Sequence, residues 1–145
     1  MIHIYTGNEK SSELAISWFL LQGIEVKICK KSQLTREMIE EICMVFPFRI
    51  DDLFSRRSRI FKDIEPFFEQ YTFEKKVDLL VHERKLLRTP IIFSKNKLLI
   101  GFNKEEIRLF IPRKKRKEAY AQLYVKEVVN YLEKQKTFDS KRVSN

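Results

Sequence analysis

Ile2-His3-Ile4-Tyr5 alternates, with branched and aromatic side chains, and Gly7-Asn8 supply turn chemistry, so residues 2–5 predict a short strand entering a loop. A helix follows: Ser11 or Ser12 can cap its start, Leu14, Ile16, Trp18, Phe19, Leu20 and Leu21 form a broad apolar face, and Gly23 is a stop signal. Residues 23–29 alternate again, which predicts a second strand. Strand, helix and strand within 30 residues make a βαβ unit, with parallel strands and a right-handed crossover.

The period then changes. Thr35 lacks the Glu or Gln three residues on that would complete a capping box, yet Ile39, Ile42, Cys43 and Phe46 keep helical spacing up to Pro47. Residues 51–54 and 58–64 read as short helical turns, and Phe73, Val77, Leu80 and Val81 mark the stripe of a longer helix. Pro90 to Phe93, a polar turn at 94–97, and Leu98 to Ile100 before Gly101 predict a β-hairpin. Asn103 can cap a helix over 104–110, and a last helix is expected from about Lys115 to Leu132, with Tyr120, Tyr124, Val128 and Tyr131 on one stripe. This order predicts an α/β, thioredoxin-like mixed sheet with a helical insertion and an extended C-terminal helix. A single domain over 1–145 is expected: core at 1–30 and 87–134, helical insert at 35–86, polar tail at 135–145.

Composition agrees with one folded core, since 43% of the 145 residues are hydrophobic and only 3 are Gly and 4 Pro. No apolar run approaches the roughly 20 residues of a membrane helix, and no secretory signal pattern opens the chain, so a cytoplasmic protein without a membrane partner is expected. Two cysteines 14 positions apart, Cys29 and Cys43, give little support to a disulfide or a zinc site. His3 and His82 lack ligand spacing, and no metal or cofactor is expected. The net charge of +9 is uneven, with +6 from Pro112 onward, and its densest run is Arg113-Lys114-Lys115-Arg116-Lys117. Such a run suits phosphate or an acidic protein face.

Leu86-Leu87-Arg88-Thr89-Pro90-Ile91-Ile92, then residues 101–108 (GFNKEEIR) and 110–114 (FIPRK), closely resemble the Spx branch of the arsenate reductase/Spx (ArsC) family. Ser55-Arg56-Arg57-Ser58-Arg59 resembles the family's S-T-R-S-K segment, Ile4-Tyr5-Thr6 its first strand, and Trp18 its first-helix tryptophan, so the likeness spans residues 1–118. The resemblance implies a thioredoxin-like domain with a cis proline at Pro90. It also implies docking on the C-terminal domain of the RNA polymerase α subunit, with promoter DNA contacted only indirectly or weakly, and control by a cytoplasmic protease.

The departures are equally specific. Where Spx proteins carry C-x-x-C, alignment on Ala15 and Trp18 gives Glu9-Lys10-Ser11-Ser12, so the redox switch is degenerate. Arsenate reductases of the family need a thiolate and three arginines for the oxyanion; Arg57 matches one, while Thr89 and Phe102 stand at the other two. A glycine of the family's polymerase contact falls at Arg49. The expectation is a redox-insensitive, non-enzymatic regulator whose partner face includes Arg49, Arg57, Arg59 and Arg88. The alternatives are direct nucleic-acid binding through residues 113–117 and, least favoured, an arsenate reductase-like oxidoreductase.

Overall fold

The computed structural model describes residues 1–113, 121–122 and 124–135, and divides into two compact units, Met1–Phe110 and Ile111–Asn145. In the first, strand β1 (Ile2–Thr6) leads into helix α1 (Lys10–Gln22) and strand β2 (Val26–Lys30). Next come α2 (Arg36–Val45), α3 (Arg59–Ile64) and α4 (Phe73–His82), joined by 3₁₀ turns, and then the hairpin β3 (Ile91–Ser94) and β4 (Lys97–Ile100). A 3₁₀ turn, Glu106–Phe110, closes the unit.

The strands form one mixed sheet in the order β2-β1-β3-β4, with β1 parallel to β2 and antiparallel to β3. Register follows from the period of two. Ile4 stands opposite Ile92 and joins Ala15, Phe19, Leu99, Ile107 and Phe110 on the face covered by α1. Tyr5, opposite Ile91, points to the other face, where Leu34 together with Ile39, Leu53, Phe54, Phe61, Val77 and Leu80 of the insert closes the larger core. The insert is therefore the second half of a sandwich about the sheet.

Local signals account for most boundaries. Gly23 ends α1 in the left-handed region at φ 66°. Thr35, Ser58 and Thr72 each accept a hydrogen bond from a first-turn amide, of Met38, Phe61 and Lys75 respectively. Two expectations need correction. Neither Ser11 nor Ser12 caps α1: the helix starts one residue earlier, Glu9 holds the cap position, and the Ser12 hydroxyl turns back to accept from the Gly7 amide at 3.1 Å. The segment 104–110 is a 3₁₀ turn over Glu106–Phe110, although Asn103 does accept from the Glu105 and Glu106 amides at 2.9 Å.

In the second unit residues 124–135 are helical, with Tyr124, Val125, Val128, Val129, Tyr131 and Leu132 exposed. Lys114, Lys115, Arg116, Lys117 and Tyr120 lie outside the described residues, as does the tail from residue 136. No helix among the described residues is long and apolar enough to cross a membrane.

Candidate functional site

Three loops converge beside the sheet. The β1–α1 loop brings Glu9; the segment before β3 brings Arg88 and Thr89; residues 53–57 of the insert bring Arg56 and Arg57. The last two are laced together by the backbone, with Ser55 N donating to Leu86 O at 2.6 Å and Arg88 N to Leu53 O at 2.7 Å. The Thr89–Pro90 peptide bond is cis, and Gly101 N donates to Pro90 O at 2.7 Å, which ties that segment to the hairpin end. Between the loops lies a cleft of about 600 Å³.

Glu9 is fixed at its inner end by two side-chain hydrogen bonds. The carboxylate oxygen Oε1 accepts hydrogen bonds from Ser12 Oγ and Thr89 Oγ1, whose residues are almost fully buried, at 1% and 7% exposure. Burial pushes the Glu9 carboxyl up, but the Ser12 and Thr89 hydroxyls, its own backbone amide and the charge of Lys31 outweigh this, and its pKa lies below the ordinary value. The carboxylate folds back on Gly7, where a Cβ would collide with it and come 2.7 Å from Thr89 Oγ1. Gly7 is thus fixed by lack of space rather than by its backbone angles.

The rest of the wall is cationic. Lys31, Arg56, Arg57, Lys85 and Arg88 line the cleft with Asp51 and Asp52. Arg56 lies over the rings of Phe61 and Phe68, 5.3 and 5.6 Å from their centroids. Asp51 receives Lys76 Nζ at 2.7 Å and Arg49 Nη2 at 3.2 Å. The side chains of Arg57, Lys85 and Arg88 make no hydrogen bond or ion pair with the described residues. Arg57 has no acidic partner among the described residues. Arg88 instead packs its guanidinium over Gly101, where φ is 82° and an added Cβ would lie 2.7 Å from Nη2.

The structure gathers some of the expected positions and separates others. Glu9, Ser11, Arg57 and Arg88 line the cleft, and Ser12 adjoins it through Glu9. Ser11 Oγ lies 3.5 Å from Thr89 O, whereas Lys10 is exposed on the first turn of α1. Arg49, with its side chain 82% exposed, borders a neighbouring hollow that shares Asp51 and Arg56 with the cleft. Arg59 is exposed at the start of α3. Of the basic run 113–117 only Arg113 is described. Lys31, Lys85 and the buried Lys76 were not anticipated. Lys76 had a signal: three residues after Phe73 and four before Leu80, it falls on the apolar stripe of α4, where a charge requires a partner.

Neither thiol reaches this site. Cys29 is in β2 and Cys43 in α2, and both pack partly buried against the larger core. No group of three His, Cys, Asp or Glu able to hold a metal occurs among the described residues. The cleft can attract anions, but its carboxylate is no substitute for a redox thiol.

The sheet, its insert and the cis-proline loop define a thioredoxin-like α/β protein. The chain belongs to the ArsC family, whose model matches residues 25–110. It is 28% identical over 123 residues to the global transcriptional regulator Spx 2 of Oceanobacillus iheyensis, covering 83% of this chain and 91% of that protein. It is 37% identical over 87 residues to the global transcriptional regulator Spx of Streptococcus pneumoniae, covering 60% of this chain and 65% of the relative. Among solved structures, an ArsC family related protein from Bacteroides fragilis superposes with a TM-score of 0.66 at 18% identity, over 72% of this chain and 94% of that one. An arsenate reductase from Vibrio cholerae gives 0.62 at 14% identity, over 77% and 97%. These structural likenesses carry the fold.

Proposed function

We propose that this chain is a Spx-like transcriptional regulator that docks on the C-terminal domain of the RNA polymerase α subunit and is insensitive to redox state. Support comes from the similarity to proteins named as Spx regulators. The observation that carries the redox-blind, non-enzymatic part is the occupant of the α1 start: a hydrogen-bonded carboxylate, Glu9, with Ser12 three residues on. A carboxylate forms no disulfide and does not serve as the nucleophile for arsenate reduction. The partner face on this reading includes Arg49, Arg57, Arg59 and Arg88; Arg57, Arg59 and Arg88 favour an acidic complement on the polymerase, whereas the bulk of Arg49 hinders close approach. Action is in the cytoplasm, control is through abundance, with a cytoplasmic protease as second partner, and promoter DNA is reached through the polymerase.

Calorimetric titration of the protein with the isolated α C-terminal domain at moderate salt tests this, with duplex DNA as the control. Micromolar binding to the domain, with weak and salt-labile binding to DNA, is expected. No heat with the domain and tight binding to DNA would replace polymerase docking by direct nucleic-acid binding.

A further inference from the structure

We propose that Glu9 is a resident anion: its carboxylate fills the position in the cleft that a small tetrahedral oxyanion would otherwise take, and so makes the cleft reject such ions. Three observations meet at this point. Ser12 and Thr89 direct their hydroxyls, on residues only 1% and 7% exposed, at one carboxylate oxygen. The carboxylate stands at the start of the 13-residue α1, where the helix dipole favours negative charge. The surrounding wall holds Arg57, Lys85 and Arg88 without hydrogen-bond or ion-pair partners among the described residues, and Lys31 acts on Glu9 by its charge.

Hydroxyl donors, the positive end of a helix dipole and a cationic rim are the parts of an oxyanion receptor. Here the chain supplies the anion itself. Gly7 leaves the space into which the carboxylate folds, so the arrangement is sterically matched and not a chance surface contact. Removal of the carboxylate leaves two buried hydroxyls without their acceptor, and an external oxyanion can satisfy both. Arg57, Lys85 and Arg88 remain available to larger anions that approach from the open side.

The test is calorimetric titration of the wild type, Glu9→Ala and Glu9→Ser with inorganic phosphate at constant ionic strength, with chloride as the reference and circular dichroism to verify folding. The wild type is expected to bind no phosphate beyond the chloride background. Both variants should bind at least about tenfold more tightly, the equivalent of about one charge-assisted hydrogen bond. Adding Arg57→Ala to Glu9→Ala should weaken that binding, which locates it in the cleft and not elsewhere on a basic surface. Phosphate binding by the wild type as tight as by the variants overturns the proposal, and so does a folded Glu9→Ala or Glu9→Ser protein that gains none. Binding to the α C-terminal domain is a separate readout, so failure here leaves the polymerase reading untouched.

Discussion

Lys76 Nζ lies 2.7 Å from Asp51 Oδ1, with the two side chains only 10% and 15% exposed, so α4 and the turn before residue 54 are joined by a nearly buried ion pair. The ammonium also stands 4.5 Å from the Phe68 ring centroid. The two partners are not equivalent. Asp51 has a second cation in Arg49, whereas Asp51 is the only carboxylate paired with Lys76 among the described residues.

Asp51→Asn should therefore destabilise the protein by about 3 kcal/mol, since it strands a desolvated ammonium. Lys76→Met should fall within about 1 kcal/mol of wild type, because the butyl stem is replaced in volume and Arg49 still neutralises Asp51. Urea denaturation of both variants checks this. Equal losses would show that the pair contributes as a symmetric unit.

The Glu9 clamp predicts a pH dependence. Its folded-state pKa lies below the ordinary 4.5, so its contribution to stability is fully present above that value. The contribution is lost as pH falls through the folded pKa, when protonation removes the charge accepting the Ser12 and Thr89 hydrogen bonds. Glu9→Gln should flatten the part of the stability profile that lies below pH 4.5, as read from thermal melts. A variant curve parallel to wild type through that window would mean that the carboxylate charge adds nothing to folding.

Cys43 bears on redox behaviour. Burial first, and the nearby charge of Glu40 second, push its thiol up to about 11 from an ordinary 9.0. Near neutral pH it carries about a hundredfold less thiolate than an unperturbed cysteine. In a Cys29→Ser background, disulfide-exchange reagents should modify Cys43 very slowly until denaturant is added. Equal rates in folded and denatured protein would show the thiol to be accessible and ionised.

The sequence revealed those features whose physics is local. The alternation of Ile2 to Tyr5, the stop at Gly23, the helical spacing after Thr35 and the break at Pro47 each act within a few residues, and the elements follow them. The apolar character all around α1 blurred its phase, and its start was displaced because the two serines serve the loop instead. The cleft was legible only in part. Glu9 and Thr89 are 80 positions apart, and no spacing rule links a carboxylate after one strand to a hydroxyl before another. Arg57 was visible as a motif residue, but that no described residue pairs with it is a property of the packed insert. The buried charge of Lys76 could have been read from the α4 stripe, whereas its mate Asp51, 25 positions away, could not.

Arg49 offers the sharpest test of the partner surface. It occupies the cap position of the Ile50–Leu53 turn at φ −97°, an ordinary angle, so no backbone strain attends its replacement. Its side chain is 82% exposed and among the described residues pairs only with Asp51 Oδ2, at 3.2 Å; Asp51 keeps Lys76 when that contact is lost. Arg49→Gly should thus cost little beyond the entropy of a more flexible unfolded chain, about 0.5–1 kcal/mol. It removes bulk where a partner backbone would approach. If docking on the α C-terminal domain follows the reading above, the variant should bind the domain more tightly than wild type in calorimetry, with phosphate binding unchanged. Weaker binding by a folded variant would instead make the Arg49 guanidinium a direct contact to an acidic group on the partner.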